Sequence, residues 1–416
     1  MRNMAPRRKS NDRRSKVVVM LTCQYTEILG GAEKQCAALT RNLKHAGANV
    51  VVLTSRVPGN KPSDLESGVI RFWTYCPPQL AGRHLLGSLL WSLQALIWIA
   101  WNNQRIMVLH CHQLRINAYV AAVANAMFGI PTIMKPGVGG DRNDFNIIGQ
   151  RKYLFGKSGA RFVVSRSSAV IAISSEIEKN CLEWGVPSER ILKIPNGVDL
   201  DRVKEISVGH DSKRFEYFEK CPRFVFIGRL SPEKNLLSIL DAAAAIQTKR
   251  KYCIELLGDG PLKDAIKTRP TERYGPEIVL NGRVEDVFPH LQRMHFLILV
   301  SSSEGLSNAL LEAACSGVVP ILSDVSGNRD VVDFLEYPLF VQGAGSEQIE
   351  RVLNKALNMG HEEWATWSSR IADQSRSKYD STLVRDRYLA LYDELAGETV
   401  LQKVDLSDSS DGIRDR

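Results

Sequence analysis

Apolar residues recur along this chain in short runs, many of them β-branched, separated by longer stretches in which apolar positions fall three or four apart. The runs 17–22 (VVVMLT), 49–55 (NVVVLTS), 106–110 (IMVLH), 131–135 (PTIMK) and 169–174 (AVIAIS) predict strands, and the segments 32–45, 86–101 and 117–128 between them predict helices. Runs with so little polar alternation suit parallel strands buried on both faces, so the first half reads as an open α/β sheet. After 195–203 (PNGVDLDRV) the rhythm restarts. Strands at 223–228, 252–258, 277–282, 297–302, 318–323 and 339–341 alternate with helices at 235–247, 261–268 and 307–316. A last helical pattern over 379–395 carries Tyr379, Leu383, Tyr388, Leu391 and Leu395 at near-helical spacing.

A chain of 416 residues is too long for one ordinary core. The pattern divides it into a basic tail over 1–16, a Rossmann-like unit over 17–205, and a second over 206–375. A C-terminal helix over 376–397 is expected to pack back on the first unit, and a disordered tail follows over 398–416. The boundary between the units falls in the polar stretch 196–222.

Charge changes this picture only at one end. The formal net charge is +8, and residues 1–16 hold seven Lys/Arg against one Asp, so most of the excess is a tail that is solvated or meets anionic lipid. No RRM, KH or zinc-finger pattern points to nucleic acid. The eight cysteines stand singly, without a CxxC pair, as buried thiols of a reducing cytosol do. No apolar core precedes residue 17, so no secretory signal is expected. The run 85–101 (LLGSLLWSLQALIWIAW) is interrupted by Ser88, Ser92 and Gln94, which favours a buried or membrane-leaning helix over a span.

Open α/β sheets bind ligands at the carboxyl ends of their strands, so two such units facing each other make a cleft. In 228–235 (GRLSPEKN), Arg229 and Lys234 stand at a strand end beside a helix start, where two cations form a diphosphate site or an ordinary surface turn. In 29–34 (LGGAEK), Gly30 and Gly31 allow close backbone approach to an anion, while 258–261 (GDGP) reads equally as a turn. In 301–324 (SSSEGLSNALLEAACSGVVPILSD), Ser307 or Asn308 caps a helix that Gly317 and Pro320 end. Glu304 precedes that helix and Glu312 lies within it, flanked by Leu310, Leu311, Ala313 and Ala314. A carboxylate near a helix N-terminus gains only ~0.3–1 kcal/mol from the dipole, and one projecting from a packed helix suits a pair of ribose hydroxyls.

Taken in order, LGGAEK, 169–203, FIGRLSPEKN, LLGDGPL and 302–332 resemble the retaining glycosyltransferases of family 4, which have the GT-B fold of two Rossmann-like domains across a cleft. That group includes sucrose synthases, phosphatidylinositol mannosyltransferases and many bacterial polysaccharide enzymes. The resemblance implies a nucleotide-sugar co-substrate with no cofactor and no metal. It puts Glu304 on the donor sugar, Glu312 on the ribose, and Arg229 and Lys234 on the diphosphate. Gly30 and Gly31 and the backbone at Gly305, Leu306 and Ser307 become further donor contacts, and the base lies beside Arg283 and Val284. UDP and GDP are left open. Where many relatives carry a histidine, 133–144 (IMKPGVGGDRND) places Lys135, a catalytic candidate on the sugar side. Asp141 is an acceptor-side candidate, as is His112, which forms an H-x-H with His110 at a strand end.

Relatives of this organisation extend lipid-linked glycans or cell-surface polysaccharide at the cytoplasmic membrane face, with the acceptor on the first domain. Rival readings are a GT-B nucleotide-sugar epimerase, a phosphorylase, and an inactive nucleotide-binding scaffold, although Glu304, Arg229 and Lys234 are all retained. A glycoside hydrolase would need Glu304 and Glu312 ~5–5.5 Å apart across the scissile bond. A metal-binding Asp199-Leu200-Asp201 would lie between the domains.

Overall fold

A computed structural model describes residues 16–23, 25, 30–56, 68–74, 83–141, 143–207, 211–268, 276–301, 305–334 and 336–397. Seven strands form the first sheet: β1 (Val17–Leu21), β2 (Val50–Ser55), β3 (Val69–Phe72), β4 (Ile106–His112), β5 (Thr132–Lys135), β6 (Ala169–Ala172) and β7 (Ile191–Lys193). They pair in parallel in the order β3-β2-β1-β4-β5-β6-β7. The second sheet has six parallel strands, β8 (Arg223–Ile227), β9 (Cys253–Leu257), β10 (Glu277–Gly282), β11 (Phe296–Leu299), β12 (Val319–Ser323) and β13 (Phe340–Val341), ordered β10-β9-β8-β11-β12-β13. Both are doubly wound sheets. In each, the winding reverses beside the first strand, between β1 and β4 and between β8 and β11, which opens a crevice at the carboxyl ends.

Central strands carry the apolar runs because helices cover both faces: β1, β5, β6, β9, β11 and β12 are buried throughout. The helix Ile116–Phe128 turns Ala118, Ala121, Ala122 and Ala124 inward, and such small side chains let it sit close to the sheet. The edge strands β3 and β7 are absent from the apolar pattern for a physical reason. They are short and half exposed, and half-exposed edges need no continuous apolar run.

The long helix Arg83–Asn102 differs from a core helix. Trp91, Ala95 and Ile99 face inward and are almost wholly buried, while Leu86, Leu90, Leu93, Ile97 and Trp101 recur on the opposite side, with Trp101 85% exposed. It is apolar on both faces.

The chain passes between the domains twice. At Val198 and Asp380 the two crossings pair side by side: Val198 N donates to Tyr379 O at 2.7 Å, and Ser381 N donates to Val198 O at 2.9 Å. Gly197 allows this contact, since a Cβ there would lie 2.8 Å from Ser381 Cα. The C-terminal helix Ser381–Leu395 then packs on the helix Gly31–His45 and on β4 of the first domain. Its Tyr388 and Tyr392 are fully buried there. A second tie comes from Asp330, whose carboxylate accepts from Ser175 N and Ser175 Oγ, both at 2.6 Å. The basic tail 1–15 and the segment 398–416 lie outside the described residues.

Candidate active site

Between the carboxyl ends of the two sheets lies a cavity of about 650 Å³. It gathers residues that the chain keeps hundreds of positions apart. Gly31, Lys34, His112 and Lys135 line it from the first domain; Arg229, Lys234, Arg283, Val284, Leu306, Ser307 and Glu312 line it from the second. Each follows or ends a strand, or sits on the helix that follows, as the winding of the sheets requires.

The helix Asn308–Cys315 begins as the sequence predicts. Ser307 is its N-cap, its Oγ accepting from Leu310 N at 3.4 Å. Four residues into the helix, Glu312 emerges between buried Leu310, Leu311, Ala313 and Ala314. Across the cleft the Lys34 ammonium stands 3.7 Å from Glu312 Oε1, and the Glu312 side chain is 15% exposed. Burial pushes the Glu312 carboxyl above its ordinary range, and Lys34 opposes that shift. Lys34 was not marked by the sequence as a functional group. Its one signal is its place in the first turn after the glycine pair, on the side that the sheet turns to the cleft.

A second polar bridge runs beside the first. Asn196 Nδ2 donates to Asn308 Oδ1 at 2.9 Å, and Asn308 Nδ2 donates to Gly31 O at 2.8 Å. A Cβ on residue 31 would lie 2.9 Å from Asn308 Nδ2, so Gly31 serves the contact between domains as well as the cavity wall. Gly258 has a comparable task. A Cβ there would fall 1.8 Å from Gly228 O, so the GDGP turn packs directly on the backbone that presents Arg229.

Lys135 ends β5 on the cavity wall. It is 6% exposed, and its Nζ lies 5.4 Å from the Tyr388 ring centroid. Burial pushes its pKa down to about 8, against a smaller opposite influence from Cys36. His110 and His112 stack at 4.3 Å, and His110 Nδ1 lies 2.8 Å from the Tyr392 hydroxyl. Burial first, then neighbouring positive charge, holds both imidazoles well below the usual histidine range. Among the described residues no group of three metal-ligating side chains exists, so the H-x-H has no third ligand there.

Not every predicted residue reaches the cavity. Gly30 caps the helix Gly31–His45 and is exposed beside the cavity, while Gly305 packs near the Gly137 carbonyl. Asp141 is exposed on a turn and is not among the residues that line this cavity. The acid that serves this loop is Asp144, which is buried, pairs with Arg115 at 2.6 Å and accepts from Gly137 N at 2.7 Å. In the sequence Asp144 directly follows the N-cap Asn143, where an acid also suits the helix dipole, so position alone does not mark it. Glu304 lies outside the described residues.

Residues 30–197 match the Glycosyl transferase 4-like domain, and residues 221–358 match the Glycosyl transferases group 1 family. Among curated proteins, the UDP-Gal:alpha-D-GlcNAc-diphosphoundecaprenol alpha-1,3-galactosyltransferase of Escherichia coli is 30% identical over 186 residues, 41% of this chain and 46% of that protein. The Campylobacter jejuni N-acetylgalactosamine-N,N'-diacetylbacillosaminyl-diphospho-undecaprenol 4-alpha-N-acetylgalactosaminyltransferase is 29% identical over 150 residues, 35% of this chain and 39% of that protein. The chain thus spans about half the length of the curated relatives it matches. Among solved structures, Anabaena HepE in complex with UDP and glucose superposes with a TM-score of 0.67 at 16% identity, over 91% of this chain and 100% of that one. Sucrose-phosphate synthase from Thermosynechococcus elongatus gives 0.71 at 14% identity, over 92% and 100%.

Proposed function

Because the chain belongs to the GT-B glycosyltransferases, we propose that it transfers a sugar, with retention, from a nucleotide-sugar to a lipid-linked glycan or cell-surface polysaccharide precursor at the cytoplasmic face of a membrane. One observation carries the reading: Arg229 and Lys234 share a single cleft with the Glu312–Lys34 pair, so diphosphate and ribose partners stand together. When the anomeric C–O bond breaks, negative charge grows on the leaving diphosphate. The two cations and the N-terminus of the helix Asn308–Cys315 are prearranged to stabilise it, with no metal required. In this reading the family resemblance assigns Glu304 to the donor sugar and Arg283 and Val284 to the base, and the acceptor belongs to the first domain. UDP is the favoured nucleotide, because the first relative is named for a UDP-sugar and HepE was solved with UDP. The acceptor class is supported by the diphosphoundecaprenol acceptors in the relatives' names.

The test begins with calorimetric titration of UDP, GDP and ADP, which identifies the nucleotide. Arg229→Ala and Lys234→Ala should then each lower transfer or donor hydrolysis by ~10²–10³-fold, the usual loss of one preorganised charge donor. Activity should persist in EDTA, and the product should keep the donor's anomeric configuration by NMR. Near wild-type turnover in either alanine variant overturns the proposal, and so does donor consumption without an acceptor that yields an epimer.

A further inference from the structure

Resting on the donor-site reading above, we propose that Lys135 receives a carboxylate carried by the transferred sugar, so that the donor is a nucleotide-linked uronic acid. Among the described residues the cavity wall holds five cations, Lys34, Lys135, Arg229, Lys234 and Arg283, and two carboxylates, Glu312 and Asp259. Both carboxylates are engaged: Glu312 faces Lys34 at 3.7 Å, and Asp259 faces Lys263 at 3.1 Å. Lys135 has no counter-ion among the described residues. The groups around it are Cys36 on the helix Gly31–His45, His110 and His112 on β4, and Tyr388 and Tyr392 on the C-terminal helix, all of them uncharged when the histidines are neutral.

A buried ammonium ion among neutral groups is unfavourable unless a partner arrives. The cavity is where one can arrive. Arg229 and Lys234, on the second domain, serve the diphosphate. Lys135 faces them from the first, in the neighbourhood where Gly137 packs against Gly305 at the start of the loop that leads to Ser307. A donor held by the second domain presents its sugar in that direction. His112 supports the assignment independently: its Nε2 is buried, without a partner, and belongs to the same wall, ready to donate a second hydrogen bond to the carboxylate. A neutral sugar hydroxyl at this point would leave the lysine charge uncompensated.

The experiment measures calorimetric dissociation constants of the full chain for the nucleotide chosen by the panel above, and for its glucuronate, galacturonate, glucose and galactose conjugates. At least one uronate should bind about 10- to 150-fold more tightly than its neutral counterpart, the span of a charge-assisted hydrogen bond. Lys135→Met should abolish that preference and leave the free nucleotide within about threefold, while Lys135→Arg should restore part of it. Equal wild-type binding of uronate and neutral sugar overturns the proposal, whatever the variants do. Loss of free-nucleotide affinity in Lys135→Met that matches its loss of uronate affinity overturns it too, by making Lys135 a diphosphate ligand. Failure of the underlying donor reading would look different, since the wild-type chain would then bind none of the nucleotides.

Discussion

Lys135 makes stability itself a readout of the cleft. Its folded pKa of about 8 lies below the ordinary 10.5, because burial disfavours the charged form. Between those two values the unfolded chain holds a proton that the native chain has lost, so unliganded stability from this group should rise with pH across that window and be flat below it. Denaturant unfolding at pH 8 and pH 10 should therefore show wild type gaining on the order of 2 kcal/mol relative to Lys135→Met. His110 and His112 act in the opposite corner, below about pH 6.5, where unfolding lets them charge. The glutamates divide by ligand: Glu312→Ala should weaken free-nucleotide binding by tenfold or more in titration, whereas Glu304→Ala should spare it and abolish turnover. As residues of one cavity, Arg229, Lys234 and Glu312 were legible as charges set in a strand-end or apolar context, and Lys135 only through the family resemblance, which puts it where many relatives carry a histidine. Lys34 and Asp144 were not, because their meaning comes from partners on other segments, Glu312 and Arg115, that spacing cannot reveal.

At the scale of elements, parallel strands buried on both faces announced themselves, whereas the order of strands within each sheet is a property of the fold that the apolar runs do not carry. The edges β3 and β7 did not, since partial exposure removes the pattern. The helix Arg83–Asn102 shows a different limit. Its sequence is apolar all round, which periodicity alone reads as core, yet only one face meets the sheet. The other carries Leu93 at 58% and Trp101 at 85% exposure, with exposed Arg105 following and Arg56 stacked over Trp73 nearby. Apolar side chains flanked by cations suit an anionic bilayer surface. Replacing Leu93, Ile97 and Trp101 together by Ser should reduce co-sedimentation with phosphatidylglycerol-rich vesicles at least tenfold, given ~1.5–3 kcal/mol for fully burying each large apolar side chain. Deleting residues 2–16 should lower binding at low salt and make what remains less sensitive to salt, because it removes seven cations and one carboxylate. Unchanged sedimentation in both variants would make a soluble acceptor the better reading.

For the whole molecule, the C-terminal helix belongs by contact to the domain that the chain builds first. Ending the chain at Asp380 strips Tyr388 and Tyr392 from beneath His110 and Lys135 while leaving the second sheet untouched. Scanning calorimetry of that truncated chain should show the first domain melting earlier and separately, with nucleotide affinity largely kept by the second. The same topology sets a clock on the ribosome. When Val198 emerges, every strand of the first sheet has been made, but the layer that covers β4 is still about 200 residues away. At 5–20 residues per second the nascent domain waits roughly 10–40 s with its histidine pair unroofed, while an entire second domain is synthesised and folds beside it. The helix that closes the first domain is therefore made only after the whole of the second, so the wall of the cleft around His110 and Lys135 is completed late and out of chain order.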